Sequence, residues 1–184
     1  MQKKMILIVG LPGSGKSTVA DFLEKKFNAD IVHSGDIIRE EIKRRGWEYN
    51  PRTDALIAHW FHTGGRERLV VKRVWGKIRK SRKKIIVIEG LRSEKQLKYL
   101  EEISKTRPVI FSVIASFKVR VKRELKRRRF GKKETISYIK FRDKLEKSHG
   151  EWKLIKKADY TIDNSRLSEK QTERKIIELM KKIL

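Results

Sequence analysis

Residues Gly10 to Val19 read G-L-P-G-S-G-K-S-T-V, and this stretch decides the fold. Gly10, Gly15, Lys16 and Ser17 satisfy the spacing G-x-x-x-x-G-K-[ST] of a phosphate-binding loop, and the apolar run Met5 to Val9 leads directly into it. That run predicts a buried strand. Val19, Phe22, Leu23 and Phe27 recur at helical spacing behind the loop, so the motif has the strand, loop and helix context it requires. Glycines let successive backbone N–H groups turn inward around phosphate oxygens. The helix that follows points its positive end at the same place. The expected ATP-binding residues are therefore Gly10, Leu11, Pro12, Gly13, Ser14, Gly15, Lys16, Ser17 and Thr18. Lys16 reaches the β- and γ-phosphates, and the Ser17 hydroxyl ligates a Mg²⁺ shared by them.

Outward from the loop, further apolar runs predict four more strands: Asp30 to His33, Lys84 to Glu89, Pro108 to Ala115 and Ala158 to Asp163. The third, K-I-I-V-I-E, is continuously apolar, as in a parallel sheet buried on both faces. Helical segments separate the strands, two or three of them between the second and third: Ile37 to Arg45, Ala55 to His62, and Arg66 to Ser81. Ser93 with Gln96 and Ser168 with Gln171 predict capping boxes. Phe117, Val121 and Leu125 predict an apolar stripe on the helix after the fourth strand, and Glu134 to Lys147 a further helix. The fold class that follows is α/β, three layers around a five-stranded, mostly parallel sheet. Ligands on such sheets bind at the carboxyl ends of the strands, where the phosphate loop, S-G-D (34–36) and E-G-L-R (89–92) all fall.

The 184 residues suit one domain. No stretch approaches a membrane span. Met1 to Val9 has positive charge before an apolar run, but the run is too short for a secretion signal and continues into the loop. The absence of cysteine excludes disulfides and thiolate zinc sites and fits a cytoplasmic protein. With no Cys, three Asn and three Gln beside many Lys, Arg and Glu, the composition suggests a thermophilic source. The net charge of +25 predicts attraction to anions, concentrated in Arg66 to Lys84 and Lys118 to Lys133, each with ten basic residues and one acid. A solvated charged surface and a nucleic-acid footprint both satisfy that pattern.

His33 to Glu40, H-S-G-D-I-I-R-E, resembles the S/T-G-D-M-L-R segment of adenylate kinases, and Val87 to Ser93, V-I-E-G-L-R-S, resembles their D-G-[FY]-P-R segment. Nearly the whole chain is similar to a mostly archaeal family of adenylate-kinase-like P-loop proteins. That family's pattern G-D-x-x-R-E-E, D-G-x-R-S, A-S-x-x-x-R, R-D and A-D-Y is met by Gly35 to Glu41, Glu89 to Ser93, Ala115 to Arg120, Arg142 to Asp143, and Ala158 to Tyr160. The resemblance implies a nucleotide kinase with ATP, Mg²⁺ and an AMP-like acceptor. It places the acceptor at Ser34, Gly35, Asp36, Arg39, Gly90 and Arg92, with Arg39 and Arg92 clamping its phosphate. It also implies one kinase domain over 1–184: a core of 1–35, 82–117 and 154–184, a helical acceptor-binding insertion over about 36–65, and a short basic lid over about 127–134. Arg123 and Arg127 match the paired lid arginines, and Arg142 stands on the helix behind them. Together with Lys16 and Arg92 these form the catalytic set, since forked, always-charged guanidinium groups suit the spread charge of a transferring phosphoryl group.

Two departures stand out. Glu89 replaces an aspartate as the acid expected to hold Mg²⁺ through water, and F-G-K-K at Phe130 to Lys133 replaces a D-D pair. Asp36 suits either a helix N-cap or a magnesium-water and acceptor contact. His59 and His62 at i, i+3 suggest metal ligands or, with no third ligand spaced to join them, a pocket wall or ordinary surface. Trp47, Tyr49, Trp60 and Phe61 suit stacking on a base or simple packing. Two other functions share these features: a kinase for another phosphate-bearing acceptor such as dephospho-coenzyme A, and a nucleotide-dependent nucleic-acid-binding protein.

Overall fold

The computed structural model describes residues 3–127 and 135–184. Its five strands are β1 (Lys4–Val9), β2 (Asp30–His33), β3 (Ile85–Glu89), β4 (Val109–Ile114) and β5 (Tyr160–Asp163). They pair in the order β2-β3-β1-β4-β5, and every pairing is parallel, so the sheet is wholly rather than mostly parallel. Parallel strands need helical crossovers, which bury both faces. Alternate residues of β1 accordingly enter different cores: Met5, Leu7 and Val9 join one, Ile6 and Ile8 the other.

The second core is covered by α1 (Lys16–Phe27) and α9 (Glu169–Ile183), through Val19, Leu23, Ile176 and Met180. The first is covered by α2 (Ser34–Arg44), α3 (Pro51–His62), α4 (Glu67–Lys80), α5 (Glu94–Ser104) and α8 (Glu151–Lys156). Three helices thus stand between β2 and β3. One buried carboxylate ties two of them together: Glu41 on α2 is paired with Arg44, Arg45 and, from α4, Arg73 at 3.1 Å. Hydrogen bonds from Arg44 foremost outweigh burial and hold that carboxyl down at about 2.

Several boundaries differ from the sequence expectation for physical reasons. α2 begins at Ser34, so Asp36 lies inside its first turn and is not the N-cap, which is His33. α3 begins at Pro51 because Asn50 caps it and Thr53 completes the capping box. Ser93 caps α5, but the Gln96 side chain accepts from the Arg92 amide, so the box is not reciprocal. The box at Ser168 and Gln171 forms as expected. α6 (Phe117–Lys126) buries Arg120 and Glu124, while Phe117 of the expected apolar stripe is 43% exposed. α7 (Ile136–His149) ends on Gly150, and α8 follows at once. Of the lid expected over 127–134, only Arg127 falls within the described residues, and Phe130 to Lys133 lie outside them. Among the described residues no helix is long and apolar enough to cross a membrane.

Candidate active site

β1 sits at the middle of the sheet, between β3 and β4, so the loop after it opens into the crevice where the crossovers diverge. Gly10 has φ +149°, and a Cβ there would run into the Val113 carbonyl, so strand and loop fit together only with glycine. α1 has no side-chain cap and no acid in its first turn. The first amide with an intrahelical acceptor is that of Val19, bonded to Gly15 O at 3.2 Å. The amides of Lys16, Ser17 and Thr18 precede it, in residues that line a cavity of about 870 Å³. A helix start of this kind attracts an anion. Lys16 Nζ donates to the carbonyls of Gly10 and Leu11, which keeps its charge at the loop.

At the end of β3, Glu89 stands beside the loop. Ser17 Oγ donates to Glu89 Oε1 at 3.3 Å, and His33 Nδ1, at the end of β2, lies 3.2 Å from Glu89 Oε2. Burial pushes the Glu89 carboxyl up, but contact with His33 and the charge of Lys16 outweigh it and hold it below its ordinary value. The same contact raises the His33 imidazole against burial. Sequence reasoning found Ser17 and Glu89 and missed His33, although its place at a strand end was a usable signal.

On the acceptor side, Ser34 Oγ donates to Gly90 O at 2.7 Å, joining the start of α2 to the end of β3. Gly90 has φ +98°, and a Cβ there would strike that hydroxyl. Arg39 and Arg92 both line the cavity, with Ser34, Gly35 and Gly90 between them. Neither is a free cation. Arg39 is paired with Asp36 one turn away, and Arg92 Nε lies 2.8 Å from Glu146 Oε2. Burial lowers the Arg39 value, but contacts with Asp36 and Tyr49 outweigh it. Asp36 itself does not line the cavity.

Arg142, on α7, is the most enclosed of the expected arginines, at 8% exposure. It reaches Glu124 at 3.8 Å and Glu146 at 3.7 Å, and its Nη1 is buried without a hydrogen-bond acceptor among the described residues. Burial pushes the Glu146 carboxyl up, yet the charges of Arg92 and Arg142 hold it below its ordinary value. Arg123 caps the loop from above: Nη1 donates to Gly13 O at 3.2 Å and Ser14 O at 3.1 Å, and Nη2 to Asn164 O. Arg127 also lines the cavity but is half-exposed and bonded to Glu124 at 3.3 Å. Arg123 and Arg127 are thus not an equivalent pair.

Four residues support the loop in a way the sequence did not indicate, although Arg120 and Asp143 fall within the family pattern quoted above. Arg120 forms a two-pronged pair with Asp143, at 2.8 and 2.6 Å, and donates to Pro12 O at 3.0 Å. Asn164, just past β5, donates to Ser14 O. Glu151 is buried at the start of α8 and accepts from the Gly10 amide at 2.9 Å. Burial pushes its carboxyl up to about 7, against the charge of Lys16. Nothing in S-H-G-E (148–151) announces that role, because a contact across 141 residues leaves no local pattern.

The metal reading of His59 and His62 fails on geometry. His149 does join them, but its ring lies flat on His62, 4.1 Å between centroids at 11°, so the ring nitrogens do not converge. Among the described residues no group of three or more His, Cys, Asp or Glu could hold a metal. Of the aromatics, Trp60 and Phe61 pack against each other, and Arg45 lies over both Trp47 and Trp60. None of the four lines the cavity.

Residues 9–140 match a protein-family model described as an AAA domain. A UPF0200 protein of Hyperthermus butylicus is 32% identical over 160 residues, covering 87% of this chain and 84% of the relative. Another, of Pyrococcus horikoshii, is 32% identical over 185 residues, covering 98% and 97%. Among solved structures, a shikimate kinase from Acinetobacter baumannii in complex with shikimate superposes with a TM-score of 0.62 at 19% identity, over 98% of this chain and 94% of that one. A shikimate kinase from Bacteroides thetaiotaomicron gives 0.64 at 12%, over 97% and 98%. At such identities the likeness concerns the fold: a kinase-like P-loop domain.

Proposed function

The chain belongs to the UPF0200 proteins and to the AAA domain family, and on that premise we propose that it is a phosphotransferase moving the γ-phosphate of ATP to AMP or a similar nucleoside monophosphate. The observation that carries this reading is a shared space: the phosphate loop, Arg39 on α2 and Arg92 just past β3 line one cavity. A donor on the loop and an acceptor phosphate at the arginines would face each other, and alignment with charge neutralisation is most of what phosphoryl transfer needs. A phosphate acceptor is already anionic, so no strong side-chain base is required. Ser17 and Glu89 fit Mg²⁺, since they present hard oxygen donors side by side next to Lys16. Ser17 would ligate the ion and Glu89 would hold its water; when bound, it neutralises charge on the β- and γ-oxygens. Arg123, already on the loop carbonyls, stands beside the loop that would hold the donor, while Arg142 lines the cavity with a guanidinium nitrogen that has no hydrogen-bond acceptor among the described residues.

In this reading α2 and α3 form the acceptor-binding insertion over about 36–65, residues 1–35, 82–117 and 154–184 form the core, and residues about 127–134 act as the lid. The protein works in the cytoplasm. The test is ADP formation with Mg²⁺ and a panel of acceptors: the nucleoside monophosphates, dephospho-coenzyme A, and shikimate, the last because a structural neighbour holds it. AMP or another monophosphate should support turnover, and Lys16→Met should abolish it. Turnover with dephospho-coenzyme A or shikimate alone would replace the acceptor assigned here, and full activity of Lys16→Met would overturn the site itself.

A further inference from the structure

We propose that the face formed by α3, α7 and α8 is a docking surface for single-stranded nucleic acid, separate from the acceptor site. Large apolar side chains are exposed on this face in a way that the core does not explain: Leu56 on α3 is 49% exposed, Phe141 on α7 is 50%, and Trp152 on α8 is 46%. Leu56, Tyr138, Phe141 and Leu145 line an apolar groove of about 430 Å³ between α3 and α7. The Tyr138 and Phe141 rings lie at 27° with centroids 6.3 Å apart, so two aromatic planes stand one turn apart along one wall.

Basic side chains stand beside the groove. Arg52 borders it on α3. Along α7, Lys140, Lys144 and Lys147 are exposed and fall at i, i+4 and i+7, a single row about a quarter turn around the helix from Phe141. Among the described residues none of these three is in an ion pair with a carboxylate, whereas Lys77, Lys95 and Lys157 elsewhere each have one. The row ends on Trp152, whose ring has Lys147 at 5.7 Å and Lys156 at 5.9 Å.

Basic side chains alternating with exposed aromatic planes match a single strand, whose phosphates take the cations while its unstacked bases lie on the rings. A duplex hides its base faces, and an acidic peptide or polyphosphate has none. The aromatics therefore favour the single strand over those other anions. The net charge of +25 supplies long-range attraction, and the groove supplies the place.

The test is fluorescence anisotropy of a labelled twelve-nucleotide single strand titrated with the full chain at 150 mM KCl. Phe141→Ala and Trp152→Ala should each weaken binding roughly 5- to 150-fold, the range of one lost base stack. Lys140→Gln with Lys144→Gln should weaken it too and lower the salt slope by about 1.4. Lys181→Gln with Lys182→Gln, on α9 across the sheet, should change the affinity little. Unaltered binding by the Phe141 and Trp152 variants would overturn the proposal, as would equal losses from the α7 and α9 lysines. It also fails if a duplex, polyphosphate or polyglutamate binds as tightly as the single strand. Thermal unfolding and binding of a fluorescent ATP analogue, both expected to be unchanged, separate local loss of the surface from loss of fold or of the nucleotide site.

Discussion

Most arginines around the cavity are paired with a carboxylate, and that pairing decides what each one does. Arg120 and Asp143 are both buried, and Arg120 also holds the Pro12 carbonyl of the phosphate loop. Removing one member of a buried pair strands the other's charge, so Arg120→Ala should cost about 3–5 kcal/mol in urea unfolding. Arg127→Ala, at an exposed pair, should cost under about 1 kcal/mol. Equal losses would refute the distinction. Glu151 makes a different prediction. Its carboxyl is pushed up to about 7, so between the unfolded value near 4.5 and about 7 the folded chain holds a proton that the unfolded chain has lost. Stability therefore falls as pH rises through that window. Glu151→Gln still offers an oxygen to the Gly10 amide but cannot ionise, so its advantage over the unaltered chain should grow from pH 5 to pH 8. Parallel curves would show that the carboxyl is charged throughout.

Elements were legible in the sequence where burial follows hydrophobicity. All five strands lie where apolar runs ended in glycine, serine or acid, and the loop is where its glycines and Lys16 put it. α6 stands where its apolar residues put it, but what it buries are the ion-paired Arg120 and Glu124, while Val121 and Leu125 are half-buried and Phe117 is exposed. α8, six residues long, is too short to show a period, and with it Glu151 stayed hidden. The α3–α7 contact was equally invisible, since His149 meets His62 across 87 residues of sequence. That contact has a measurable consequence. Burial foremost, and then His149, pull the His62 imidazole down to about 2, while burial takes His149 to about 4. Both bind protons more readily when unfolded, so stability is lost as pH falls below about 6.5. For the well-buried His62 this is about 2 kcal/mol by pH 5. His62→Phe keeps a ring against His149 and should remove most of that loss. The slope is opposite to that of Glu151, so the comparison is between variants at each pH. A His62→Phe curve parallel to that of the unaltered chain would contradict the assignment.

For the whole molecule, composition announced the charge but not where it is used. The 48 basic residues outnumber the 23 acids by 25, yet the buried carboxylates Glu41, Glu124, Glu146 and Asp143 each sit against arginines, so the pairing is concentrated inside. Surplus positive charge is left on the surface, where its repulsion opposes the compact state and is screened over about 10 Å at 0.1 M salt. Raising KCl from about 20 to 300 mM should therefore raise the melting temperature, because the repulsive surface is screened while the interior pairs are not. A lower melting temperature in salt would mean that attractive surface pairs dominate instead. ATP with Mg²⁺ at constant ionic strength acts by a separate route. At about a hundred times its dissociation constant it should add about 2.7 kcal/mol through binding alone. Lys16→Met should lose that increment while keeping the response to salt. The two responses move independently only if the phosphate loop is a specific site within a generally cationic protein; if Lys16→Met retains the full ATP increment, the nucleotide is acting as one more polyanion on the surface.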